Sequence, residues 1–127
     1  MGTSDSSTLR RLAEVYALTR AGFGAASVAA PAAVFRRSLG SPAEKPGTQS
    51  IIRSFGIRDV VLGLTLLDAV RSGGDTRRWL TLSGLCGLVD AVAIGVARDD
   101  LPEHSGEMLA LAGLDAVSGF GLAALTR

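Results

Sequence analysis

Four apolar stretches, at roughly Leu12 to Phe35, Ile51 to Val70, Trp79 to Ala97 and Met108 to Thr126, dominate the 127-residue chain. Each approaches the ~20 residues that a helix needs to cross a bilayer. None is free of charge: the first holds Glu14 and Arg20, the second Arg53, Arg58, Asp59 and Asp68, the third Asp90 and the fourth Asp115. A soluble helical bundle would have helices of similar length, but each would carry a polar stripe at the 3.6-residue period. The third and fourth stretches have one Asp each and no such stripe. The pattern predicts an all-α protein, with a single domain over 1–127 folded as an up-and-down four-helix transmembrane bundle behind a polar tail at 1–9.

The connectors fit this expectation. Arg36 to Ser50 is polar with two prolines, Arg71 to Arg78 contains a Gly-Gly turn, and Arg98 to Glu107 is densely charged. Tyr16, Phe35, Phe55 and Trp79 lie near stretch ends, where interfacial aromatics are expected. Arg10 and Arg11 before an apolar run raise the question of a signal peptide; Glu14 and Arg20 interrupt that run, so cleavage is not expected. Nor does Thr-Leu-Arg-Arg-Leu-Ala have the residues that follow a twin-arginine start. An even number of spans puts both termini on one side, with Arg10, Arg11, Arg71, Arg77, Arg78 and Arg127 there against Arg36, Arg37, Lys45, Arg53 and Arg98 opposite. That margin of one leans the termini toward the cytoplasmic side of the cytoplasmic membrane. A net charge of +1, without basic residues interleaved with aromatics, argues against nucleic-acid binding.

Depth arithmetic at ~1.5 Å per residue locates the charges. Counting inward from the Arg36 to Ser50 side, Asp59, Asp90 and Asp115 all fall about 10 Å deep, with Arg58 beside them. Arg20, counted from Phe35, falls about 22 Å deep, in the other half of the bundle, where it is expected to snorkel to the interface or to meet Asp68. Each Asp stands among small residues at helical spacing: Gly56, Asp59 and Gly63; Gly84, Gly87 and Asp90; Ala112, Asp115 and Gly119. Small residues let helix backbones approach closely, so these faces should point inward. One Arg and three Asp leave a layer that must be paired, hydrated or neutralised, and burial beside like charges is expected to leave at least one Asp protonated at neutral pH.

Such a layer suggests two functions. As a site, Asp59, Asp90 and Asp115 would divide general-acid and general-base work while Arg58 orients them, and a lipophilic small molecule would be the ligand or substrate of a hydrolase or isomerase, epoxide opening being one reaction within reach. As a clasp, the same residues would fix helix register in a non-enzymatic subunit whose glycine faces bind another membrane helix or a second copy. A proton or cation pathway would need Arg20 and Asp68 to continue it. No cofactor is expected. His104 with Glu107 has a metal-like spacing but no second His, so no metal is expected either; Asp100 and Glu103 read instead as a helix-start capping pair before a helix at Ser105. Cys86 reads as a packing residue and Pro31 as a kink.

The segment Ser54-Phe-Gly-Ile-Arg-Asp-Val-Val-Leu-Gly-Leu, with Gly-Leu-Val-Asp90 and Gly-Leu-Asp115-Ala-Val after it, resembles a family of small four-helix integral membrane proteins of unknown function common in actinobacteria and fungi. The resemblance runs from about Ala32 to the C-terminus and is most specific at Gly56 to Asp59. It implies a bacterial membrane protein of this fold and adds weight to Arg58, Asp59 and Asp90. It carries no activity, and Asp115 departs from the less acidic residue usual in that family.

Overall fold

A computed structural model describes residues 3–126. Its helices are α1 (Thr3–Ala29), α2 (Pro31–Leu39), α3 (Pro46–Ser72), α4 (Thr76–Val96) and α5 (Ser105–Leu125), with short 3₁₀ turns at Ser41–Glu44 and Arg98–Asp100. No strand occurs among the described residues. The expected all-α class holds, with two differences in the first segment. The expected polar tail is helical from Thr3 onward, Met1 and Gly2 lying outside the described residues. The span expected to run to Phe35 ends instead at Ala29. Proline disfavours helical geometry in the residue before it, and Ala30 leaves the helix at φ −138° and ψ 62°. The chain then turns by 96° into α2. What the sequence suggested as a kink is a corner.

Two helix pairs form the body. α1 packs along α3, α4 packs along α5, and the pairs meet each other only sparsely. Both pairs are antiparallel and joined through glycine. A methyl group on Gly63 would lie 2.6 Å from the Ala17 carbonyl oxygen, and one on Gly24 would lie 2.5 Å from that of Gly56. On the other side, a methyl on Gly119 would fall 2.6 Å from the Gly84 nitrogen. Backbones this close leave no room for a side chain, which is the reason for the small-residue faces. The α3 to α4 turn is set by Gly73 at φ 75°, a left-handed helix end, followed by Asp75, whose carboxylate accepts the Arg78 N–H at 2.9 Å and caps α4. The capping pair expected at Asp100 and Glu103 does not form; Asp100 lies in a 3₁₀ turn, and α5 starts at Ser105 with no side-chain cap.

α4 and α5 are long and apolar enough to cross a membrane, and the bent α1 and α2 together make up to a third such element. Their apolar side chains face outward: Leu85, Val89, Val92 and Val96 on α4, and Leu114 and Val117 on α5, are exposed. α3 is not among these elements, since Arg53, Arg58, Asp59 and Asp68 interrupt it.

Candidate functional site

The charged residues meet between the two helix pairs. Arg58 on α3 holds Asp90 on α4 with both ends of its guanidinium, NH2 to Oδ2 at 2.6 Å and NH1 to Oδ1 at 3.0 Å. It also donates to Oδ1 of its chain neighbour Asp59, from Nε at 3.3 Å and NH2 at 3.1 Å, and its guanidinium carbon sits 5.3 Å from the centre of the Phe55 ring. The expected layer of Arg58, Asp59, Asp90 and Asp115 therefore converges, but it does so around a residue placed elsewhere by depth counting.

That residue is Arg20, whose side chain is 4 % exposed. Its NH1 donates to Asp115 Oδ2 at 2.6 Å and to the Ser83 carbonyl at 3.3 Å, while its NH2 donates to Asp59 Oδ1 at 3.0 Å. Tyr16, one turn earlier on α1, donates its hydroxyl to Asp115 Oδ1 at 2.8 Å and accepts from Arg20 NH1 at 3.2 Å. The expected neighbourhood of Arg20 and Asp68 is thus corrected, and Asp68 is exposed. The physical reason is the corner at Ala30. Counted from the true end of α1, Arg20 is nine residues in, or about 14 Å, which brings it level with the aspartates. Tyr16, expected as an interfacial aromatic, belongs to the same network. A sequence signal for both was present: Ala13, Ala17, Arg20, Gly24 and Ser27 form a buried seam at helical spacing, so Arg20 has the same small-residue frame as each Asp.

The result is one chain of alternating charge, running Tyr16, Asp115, Arg20, Asp59, Arg58, Asp90 across four helices. Two Arg and three Asp leave one negative charge in excess, where Arg58 alone would have left two. Asp59 takes all three of its N–H bonds at Oδ1, and among the described residues no donor reaches its Oδ2. Two buried atoms, Arg20 Nε and Ser83 Oγ, have no protein partner.

The network borders a cleft of about 960 Å³ between the pairs. Tyr16, Arg20, Arg58, Asp59, Asp90 and Asp115 give it a polar patch, and the remaining walls are mainly apolar. α2 adds Val34, Phe35 and Leu39 to its lining, with Phe35 in edge-to-face contact with Phe23 at 5.9 Å. On its water-facing side, α2 carries exposed ion pairs of Arg36 with Glu44 and Arg37 with Glu107. His104 is exposed, and no cluster of metal-ligating side chains occurs among the described residues. Searches of protein-family models, curated proteins and solved structures return no match for this chain.

Proposed function

We propose that this chain is a small integral membrane protein that binds a lipophilic small molecule in the cleft between its helix pairs, with the Arg/Asp network as the polar end of the site. The observation that carries the reading is the cleft itself, about 960 Å³ with apolar walls and its charges gathered in one patch. Ligand sites have this make-up, with few polar groups in an apolar hollow of several hundred Å³. In this reading α3 is the fourth span, because Arg58 and Asp59 face partners inside the bundle and not lipid. Membership in the small four-helix family is part of the same proposal and rests on Gly56 to Asp59. Acid and base chemistry extends it: Asp59 Oδ2 is the carboxylate atom left for a substrate proton, and Arg20 and Arg58 fix the carboxyl group.

The clasp reading has its own support, since each aspartate of the network is held by an arginine, and the bonds of Arg20 to Asp115 and of Arg58 to Asp90 run from one helix pair to the other. The two are separated by saturable binding of an environment-sensitive apolar fluorophore to the protein in detergent micelles. Wild type is compared with Ser118→Trp, which places an indole at the cleft wall one turn from Asp115. Saturable binding that Ser118→Trp abolishes supports the site. No saturable binding in wild type, together with loss of folding in Asp90→Asn, supports the clasp.

A further inference from the structure

We propose that the molecule the cleft takes is a lipophilic monocation, an amphiphile with one ammonium-type head and an apolar body; this rests on the reading of the cleft as a binding site. The first argument is charge. The polar patch has one more carboxylate than guanidinium: Asp59, Asp90 and Asp115 against Arg20 and Arg58. An uncompensated charge in an apolar bundle is unfavourable; a proton or a single positive head brings the sum to zero, and only the head brings an apolar body to the walls of the cleft.

The second argument is hydrogen bonding. Arg58 spends all three of its nitrogens on Asp59 and Asp90, Arg20 spends NH1 and NH2 on Asp115 and Asp59, and Tyr16 gives its proton to Asp115. The one arginine nitrogen left without a partner, Arg20 Nε, is sealed from the cleft. An anionic head would therefore find every outward arginine nitrogen already paired to a carboxylate, and would have to share it. A donating head finds Asp59 Oδ2 without a protein donor.

The third argument is independent of both. Of the six aromatic residues in the chain, Tyr16, Phe23, Phe35 and Phe55 line this cleft. Aromatic faces attract cations, and Phe55 already lies beneath the Arg58 guanidinium. An aromatic-lined hollow with surplus carboxylate suits an ammonium better than a carboxylate, a phosphate or an uncharged alcohol.

The test measures binding of three C12 amphiphiles, dodecylammonium, dodecanol and dodecanoate, to the protein in nanodiscs of zwitterionic lipid, each corrected by empty discs. Dodecylammonium is expected to bind saturably at one site and at least tenfold more tightly than dodecanol, with dodecanoate weakest. Asp59→Asn should bring the ratio of ammonium to alcohol affinity toward one. Phe35→Leu provides the same readout, a smaller ratio, should Asp59→Asn fail to fold. Equal affinities, a preference for dodecanoate, or a ratio unmoved by the substitutions overturns the monocation and leaves the cleft reading standing. No saturable binding by any of the three overturns both.

Discussion

Replacing Arg20 with Met isolates what the network contributes, because Met keeps an apolar stem of similar reach and removes only the guanidinium. Four contacts disappear: to Asp115 at 2.6 Å, to Asp59 at 3.0 Å, to Tyr16 at 3.2 Å and to the Ser83 carbonyl at 3.3 Å. Bonds that involve a charged group contribute about 1.5 to 3 kcal/mol each, so the two carboxylate contacts alone amount to about 3 to 6 kcal/mol. Asp59 keeps Arg58 as a partner, which places the loss toward the lower end. Asp115 keeps only the Tyr16 hydroxyl and is left as a half-buried carboxylate without a cation. The expected destabilisation is about 3 kcal/mol, within the range for breaking one side of a buried pair. In the folded-to-unfolded ratio that is about a hundredfold. The assay is reversible unfolding in mixed micelles on titration with sodium dodecyl sulfate, read by far-ultraviolet circular dichroism. Arg37→Met is the control, since its pair with Glu107 stands in water and should contribute nothing measurable. A cycle that combines Arg20→Met with Asp115→Asn should show coupling of about 1 kcal/mol or more. A loss below about 1 kcal/mol for Arg20→Met, or a coupling of zero, would refute the reasoning.

Glycine substitutions should differ in sign by position. Gly63→Ala sets a methyl 2.6 Å from a backbone oxygen of α1 and should separate α1 from α3, whereas Gly113→Ala meets nothing within 4 Å and should gain about 0.5 to 1 kcal/mol; the same micelle titration reads both. Asp75→Ala removes the cap on α4 and should lower stability by about 1 kcal/mol, seen as a shift of the unfolding midpoint without a change in slope. Asp68→Asn should leave the midpoint unmoved, since Asp68 is exposed and has no part in the network; a clear destabilisation there would restore the pairing with Arg20 that depth counting suggested.

Helical class was legible in the sequence because hydrophobic run lengths report it directly, and the inward direction of Asp59, Asp90 and Asp115 was legible because each sits on a small-residue face. Within a helix, the rise per residue converts sequence position to depth faithfully, and this is why the three aspartates fall at one level. Arg20 was misplaced because its depth was counted through Pro31, on the assumption that helix continues past a proline. A 96° turn there makes the count meaningless beyond Ala29. The division into two pairs was not legible at all. It depends on which small-residue face meets which, and the four faces are nearly alike in composition, so only three-dimensional packing discriminates α1 with α3 from α1 with α5.

The two kinds of helix contact in this fold explain why the cleft exists. Within each pair, glycine brings backbone against backbone and leaves no space. Between the pairs, an apolar cluster that includes Ala17, Leu66, Leu80 and Ala123 packs at one end, and beyond it the links are arginines, among the longest of side chains, extended from α1 to Asp115 on α5 and from α3 to Asp90 on α4. A long side chain that ends in a rigid, paired fork both ties two helices and holds them apart. The space it holds open is the cleft. The α1 to α3 seam carries the buried pair of Arg20 with Asp59 as well, so charge by itself does not open a seam; room appears where the arginines reach across to α5 and α4.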